Sequence, residues 1–162
     1  MTMATIVIGI GNLVRKDDSV GIHAVRGVEQ AIEGRRGVTA RELPIGGMRL
    51  MEAMVGYDRA ILIDAIQTEG GTPGAIYHVP AAELLRSRNA HSLHDASLAV
   101  ALEMGRIAGL SLPRNITAWA VEAADVEGFG DGLTPEVAKA VPEIVKRVMR
   151  QLEPAIARSA PG

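Results

Sequence analysis

One stretch near the start of the chain, residues 5–21, constrains the fold more than any other. It begins with an apolar run rich in β-branched residues, which is typical of a strand buried on both faces of a parallel sheet. A glycine turn follows, and two adjacent carboxylates, Asp17 and Asp18, then open a helical pattern. The stretch therefore predicts a strand–turn–helix unit. Because ligands bind at the carboxyl ends of the strands in open α/β sheets, residues 11–18 form the first candidate site.

The glycines of this stretch suggest a nucleotide site, but their spacing argues against one. The dinucleotide fingerprint Gly-x-Gly-x-x-Gly is matched by Gly9 and Gly11, whereas its third glycine position is Val14. Two carboxylates at the start of a helix would also repel a pyrophosphate. A metal site or a proton-transfer site suits these residues better. The alternative without a chemical role is that Asp17 and Asp18 cap the helix and complement its dipole.

The remaining pattern predicts one α/β domain. A chain of 162 residues is long enough for a sheet with helices on both sides. Runs of apolar periodicity predict further strands at residues 38–43, 60–66, 75–79 and 115–122, and helices at 18–33, 48–57, 99–108 and 134–152. An irregularity is expected in the last helix near Pro142. The predicted domain is residues 1–153, and residues 154–162 are predicted to be a frayed tail.

Composition and charge exclude several classes of function. The formal net charge of −2, without an extended basic cluster, gives no electrostatic footprint for nucleic acid. No apolar run approaches the roughly 20 residues that span a bilayer. The chain has no cysteine, which excludes disulfides, thiolate nucleophiles and thiolate metal ligands. Since the first residues lack a basic secretory leader, we expect a cytoplasmic protein.

The apolar run 60–66 contains a single carboxylate, Asp64. A continuous apolar run of this length is typical of a central parallel strand. An unpaired carboxylate buried there would cost several kcal/mol, so Asp64 should be hydrogen-bonded, paired or bound to a metal. Its position near the carboxyl end of the strand predicts that it shares an edge of the sheet with Asp18. Capping of a neighbouring loop is the alternative.

Two histidines, His91 and His94, precede the helix predicted at residues 99–108. A histidine at the start of a helix can face the crevice, and imidazole is a common ligand of zinc and nickel. Ordinary surface histidines are the alternative. Together with Asp18 and Asp64, one histidine would complete a set of two carboxylates and an imidazole with open coordination positions for a divalent ion.

Several motifs, taken in order, resemble those of the hydrogenase maturation proteases, the endopeptidases that trim the C-terminus of the large subunit of nickel-iron hydrogenases. The resemblance covers residues 4–152. Its motifs are Gly9-x-Gly11-Asn12, Asp17-Asp18-x-x-Gly21, the strand ending in Asp64-Ala65, His94-x-x-Ser97-Leu98, and Gly132-Leu133-Thr134-Pro135-Glu136.

The resemblance implies a three-layer α/β/α sandwich with a mostly parallel central sheet. It also implies that the metal-contacting and catalytic residues are Asp18, Asp64 and His94. Here His94 is preferred to His91 because Ser97 and Leu98 follow it as they do in the family motif. The substrate contacts implied by the resemblance are Gly11, Asn12, Asp17 and Gly47.

The activity implied by the resemblance is removal of the C-terminal extension from a hydrogenase large-subunit precursor that already contains nickel. The precursor would supply the nickel, and zinc or cadmium could occupy the site in crystals. Cleavage would use a metal-polarised carbonyl and a water molecule activated by Asp17 or Asp18. The alternatives are a nickel-binding chaperone or scaffold that does not cut its partner, and a metal-dependent hydrolase of small molecules.

Overall fold

The fold is built around a five-stranded sheet with the strand order β2-β1-β3-β5-β4. The structure, a computed structural model, describes residues 3–44, 47–81 and 98–158. Strands β1, β2, β3 and β5 are parallel, and β4 pairs with β5 in the antiparallel direction at one edge. The strands are β1 (Thr5–Ile10), β2 (Val38–Leu43), β3 (Arg59–Ile66), β4 (Ile76–Pro80) and β5 (Asn115–Glu122).

Helices cover both faces of this sheet, which confirms the predicted α/β/α sandwich. The helices are α1 (Val20–Ala31), α2 (Met48–Met54), α3 (Leu98–Ile107) and α4 (Pro135–Arg158). Helices α1 and α4 pack with one core cluster, which includes Val7, Ile61 and Val121. Helices α2 and α3 pack with the opposite cluster, which includes Ile8 and Leu62. None of the helices in the described residues combines the length and apolar character needed to cross a membrane.

The burial of each strand follows from its sequence. Every residue of β1 is buried, and so are residues 60–65 of β3, because these central strands are covered by helices on both faces. The edge strand β2 is buried only in part and carries polar residues. Continuous apolar runs therefore identify the centre of the sheet correctly.

Several helix boundaries differ from the sequence prediction, including that of α2, which ends at Met54 and not at residue 57. The first helix, predicted at residues 18–33, begins as a 3-10 helical turn at Lys16–Ser19 and becomes an α-helix at Val20. The last helix runs through both Pro142 and Pro154 to Arg158, so residues 154–158 of the predicted tail belong to the helix, while residues 159–162 lie outside the described residues. Ala155 is buried there and Ile156 packs against the core, and this burial offsets the backbone hydrogen bond that Pro154 cannot make.

Strand β1 and helix α1 approach so closely that glycine is required at their contact. A Cβ atom added at Gly21 would overlap the carbonyl oxygens of Ile10 and Ile63. One added at Gly9 would overlap the carbonyl oxygen of Gly21 and the side chain of Val25. The glycines of the opening motif thus bring the helix onto the strand, and this close packing positions the turn between them.

Gly21→Ala should lower the free energy of unfolding by about 2–3 kcal/mol, because backbone oxygens cannot move aside for the new methyl group. Gly27→Ala is the matched control in the same helix, since its Cβ would meet only the Val145 side chain. That control should change stability by less than about 1 kcal/mol. Denaturant unfolding of both variants provides the test, and equal effects would contradict the explanation.

Candidate functional site at the carboxyl edge of the sheet

Asp18 lies on the 3-10 helical turn that follows β1, and Asn12 holds it there. The backbone N–H of Asn12 donates to Asp18 Oδ2 at 3.2 Å, while Asn12 Oδ1 accepts the N–H of Val14 at 3.1 Å. A Cβ at Gly11 would overlap the carbonyl oxygen of Asp18, so the turn also depends on glycine at that position. The Asp18 residue itself is half-buried. Gly11 and Asn12 therefore shape the turn that presents Asp18 at the edge of the sheet.

Asp64 is fully buried near the carboxyl end of β3. Its Oδ1 accepts the N–H of Ala65 at 2.8 Å, and its register neighbour on β5 is the apolar Ala120. By strand alternation, Asp64 lies on the same face as Leu62, the face covered by α2 and α3. The turn that carries Asp18 contacts β3. Both predicted carboxylates thus belong to the same edge of the sheet, on elements in direct contact.

Asp17, although adjacent to Asp18, has a different environment. It is fully buried, and its Oδ2 accepts the backbone N–H groups of Ala124 and Asp125, each at 2.9 Å. Its Oδ1 accepts the backbone N–H of Thr134 at 2.8 Å, and the Thr134 hydroxyl lies within 3.0 Å of both oxygens. The carboxylate therefore ties the turn after β1 to the loop after β5 and to the start of α4. Contact between Asp17 and substrate stays a prediction.

Asp17→Asn should lower the free energy of unfolding by about 3 kcal/mol. Both carboxylate oxygens of the wild type accept backbone N–H groups, and the variant replaces one of these oxygens by an NH₂ group that cannot accept them. The neighbouring Asp18→Asn is the matched control, because Asp18 is half-buried and accepts the N–H of Asn12. We expect less than about 1 kcal/mol for that control. Chemical denaturation of the two variants measures the difference, and a larger loss for Asp18→Asn would refute the assignment.

Gly47 occupies the position just before α2. It is buried, its φ angle is +68°, and its carbonyl oxygen accepts the N–H of Met51 at 3.1 Å. The positive φ favours glycine, so the local backbone explains this residue without a ligand. Contact between Gly47 and substrate stays a prediction. The neighbouring residues 45 and 46 lie outside the described residues.

His94, the third predicted metal contact, and His91 both lie outside the described residues. The residues that flank this part of the chain, Ala81 and Leu98, are described and buried in one core cluster. That cluster lies on the face of the sheet to which Asp64 belongs. Within residues 3–44, 47–81 and 98–158, no three histidine or carboxylate side chains are grouped closely enough to hold a metal ion. The assignment of His94 as a ligand stays a prediction.

Sequence reasoning missed Glu122, the last residue of β5. Its side chain is buried, and its Oε1 accepts the N–H of Thr68 at 2.9 Å and the Thr68 hydroxyl at 2.7 Å. Among the described residues, Oε2 has no hydrogen-bond partner. Gly71 packs so closely on this carboxylate that a Cβ would overlap Oε1. The sequence did contain a signal for this residue. Glu122 is a carboxylate at the end of an apolar strand, and Asp64 is a carboxylate near the end of another.

Asp125 organises the loop that follows β5. Its Oδ1 accepts the N–H of Gly128 at 2.7 Å and that of Glu127 at 3.1 Å. Its Oδ2 lies 3.4 Å from Lys16 Nζ. The Gly128 hydrogen bond, followed by Lys16, holds the pKa of the Asp125 carboxyl below its usual range. The loop is therefore joined to the turn of Asp18 by an ion pair as well as by Asp17.

The chain is similar along most of its length to proteins named for the maturation or formation of hydrogenases. Residues 22–151 match a family model described as hydrogenase maturation protease. The sequence is 29% identical over 149 residues to hydrogenase expression/formation protein HupD of Rhizobium leguminosarum bv. viciae, covering 91% of this chain and 73% of that protein. It is 28% identical over 151 residues to hydrogenase 2 maturation protease of Escherichia coli (strain K12), covering 93% and 91%. The fold matches the E. coli hydrogenase maturating endopeptidase HybD with a TM-score of 0.73 and 28% identity, covering 94% of both chains.

Proposed function

Since the chain belongs to the hydrogenase maturation protease family and is an endopeptidase, we propose that it removes the C-terminal extension of a hydrogenase large-subunit precursor after nickel has been inserted. Recognition of the inserted nickel is assigned to Asp18, Asp64 and His94. The nickel is then part of the substrate and not a resident cofactor. The observation that carries this proposal is Asp64, a carboxylate buried in an apolar strand at the edge where Asp18 is presented.

The chemistry of the proposed donors fits a borderline divalent ion. A carboxylate in a buried apolar strand is costly to desolvate, and a bound cation would help to offset that cost. Imidazole is a favoured ligand of nickel and zinc, and the chain contains no cysteine that would supply a thiolate. Two carboxylates and one imidazole leave coordination positions open for ligands that arrive with the substrate.

The position of His94 in the chain supports its role as the third contact. Residues 82–97 are bracketed by Ala81 and Leu98, which are both buried on the Asp64 face of the sheet. His94 precedes Leu98 by four positions along the chain. The first described residue after His94 therefore lies on the same face of the sheet as Asp64.

The proposed chemical step is hydrolysis with Asp18 as the general base. The oxygen of a water molecule bonds to the scissile carbonyl carbon while one water proton passes to the Asp18 carboxylate. The carbon–nitrogen bond then breaks, and Asp18 returns the proton to the leaving amine, so the products are a carboxylate and a free amine. The substrate's nickel, held by the three side chains, would supply Lewis acidity at the carbonyl. Asp17 is not used as the base because its buried carboxylate already accepts three backbone N–H groups.

Incubation with the precursor, once loaded with nickel and once metal-free, tests the function directly. We expect a shortened large subunit only from the loaded precursor, detected by mass spectrometry of the intact product. A protein that binds the loaded precursor without shortening it would be a non-cleaving chaperone. Hydrolysis of small esters or amides without processing of the precursor would indicate a small-molecule hydrolase.

Asp64→Asn should separate catalysis from stability. The substitution keeps the shape of the side chain but removes the charge, so precursor processing should fall at least about a hundredfold. Folding of the variant no longer removes a charged carboxylate from water. The free energy of unfolding should therefore stay unchanged or rise by about 1 kcal/mol.

Glu122→Gln is the matched control, a second buried carboxylate at the end of a central strand. Its remaining carbonyl oxygen can still accept the Thr68 N–H, so this variant should process the precursor at the wild-type rate. Processing and thermal unfolding are measured on the same preparations. An Asp64→Asn protein that is destabilised but fully active would contradict the ligand assignment.

The resting protein should hold metal only weakly, since the proposed set has no thiolate and is completed by the substrate. Elemental analysis after purification without added metal should find nickel and zinc well below one equivalent per chain. Near-stoichiometric zinc that survives dialysis would instead favour an ordinary metallohydrolase with a resident ion.

A further inference from the structure

Three apolar side chains are exposed beside the candidate site. Leu13 is 42% exposed, Val14 is 58% exposed, and Phe129, the only phenylalanine of the chain, is 77% exposed. We call these three residues the apolar lip. Leu13 and Val14 follow Asn12 in the turn after β1, and Phe129 lies in the loop after β5. Single exposed apolar side chains are ordinary, but these three lie on two loops that are hydrogen-bonded to each other beside the candidate site.

The apolar lip is held in place by contacts between its two loops. The N–H of Gly130 donates to the carbonyl oxygen of Val14 at 3.0 Å, and the N–H of Lys16 donates to the carbonyl oxygen of Gly130 at 3.2 Å. The Arg15 guanidinium lies over the Phe129 ring, 5.5 Å from its centroid. A surface that is ordered before binding loses less conformational entropy when a partner arrives, which favours a role in recognition.

The position of the apolar lip indicates its partner. Leu13 and Val14 directly follow Asn12, whose N–H donates to the Asp18 carboxylate, so a polypeptide bound at Asp18 would lie next to the turn that carries them. A second copy of this chain bound there would cover Asp18 and exclude the substrate. Continuity with the candidate site therefore favours the substrate over self-association.

We propose that the apolar lip docks an apolar segment of the precursor polypeptide next to the bond that is cut. This inference rests on the proposed function, because it concerns the substrate of the same site. The Phe129 ring is the main anchor, since aromatic residues dominate the binding energy of protein interfaces. The apolar lip contributes to binding and not to the chemical step.

The double variant Leu13→Ser/Phe129→Ser tests the proposal in steady-state processing of the nickel-loaded precursor. We expect KM to rise about tenfold while kcat stays at the wild-type value, because the contact is made equally before and during the reaction. Leu110→Ser is the matched control. Leu110 is 40% exposed in the loop before β5, at the opposite edge of the sheet, and its substitution should leave both constants unchanged.

Wild-type KM in the double variant, or an equal rise of KM in Leu110→Ser, would overturn the proposal. If the wild-type protein binds the precursor without cutting it, the proposed function fails separately, and the equilibrium affinity for the precursor decides the role of the apolar lip. A tenfold weaker complex for the double variant supports docking, whereas equal affinity refutes it. Wild-type dimers in sedimentation that the double variant does not form would assign the surface to a second copy instead.

Discussion

The carboxylate of Asp17 joins three parts of the chain that meet at the carboxyl edge of the sheet. It accepts backbone N–H groups from the loop after β5 and from Thr134 at the start of α4, while its own residue belongs to the turn after β1. Hydrogen bonds to an ionised acceptor in a buried setting are among the stronger polar contacts in proteins. The turn of Asp18 and the loop of Phe129 depend on this junction for their relative position.

Three carboxylates of this edge differ in role because their surroundings differ. Asp17 is buried among backbone donors and serves the architecture. Asp64 is buried in an apolar strand, its Oδ1 accepts the backbone N–H of Ala65, and its proposed role is that of a metal ligand. Asp18 is half-buried and so is more exposed than either of the other two carboxylates. Sequence adjacency therefore says little about environment, since Asp17 is buried among backbone donors and its neighbour Asp18 is half-buried.

Much of the fold was predictable because its signals are local. The apolar runs of β1 and β3 and the periodic stripes of the helices need only neighbouring residues to be recognised. The role of Asp17 was not predictable in this way, because its partners Ala124 and Thr134 lie 107 and 117 positions away along the chain. The end of α4 was also missed, since Pro154 signals a break and only the burial of Ala155 explains why the helix continues. The proposed ligand role of His94 rests on the family motif and on the burial of Leu98, the first described residue after it.

The central claim is that Asp18, Asp64 and His94 contact one metal ion at the carboxyl edge of the sheet. A crystal structure of the protein soaked in nickel or cadmium, with the ion located by anomalous scattering, tests it most directly. For nickel we expect carboxylate oxygens of Asp18 and Asp64 and one imidazole nitrogen of His94 at about 2.0–2.2 Å from the ion. An ion bound through His91, with Asp64 outside its coordination sphere, would contradict the account.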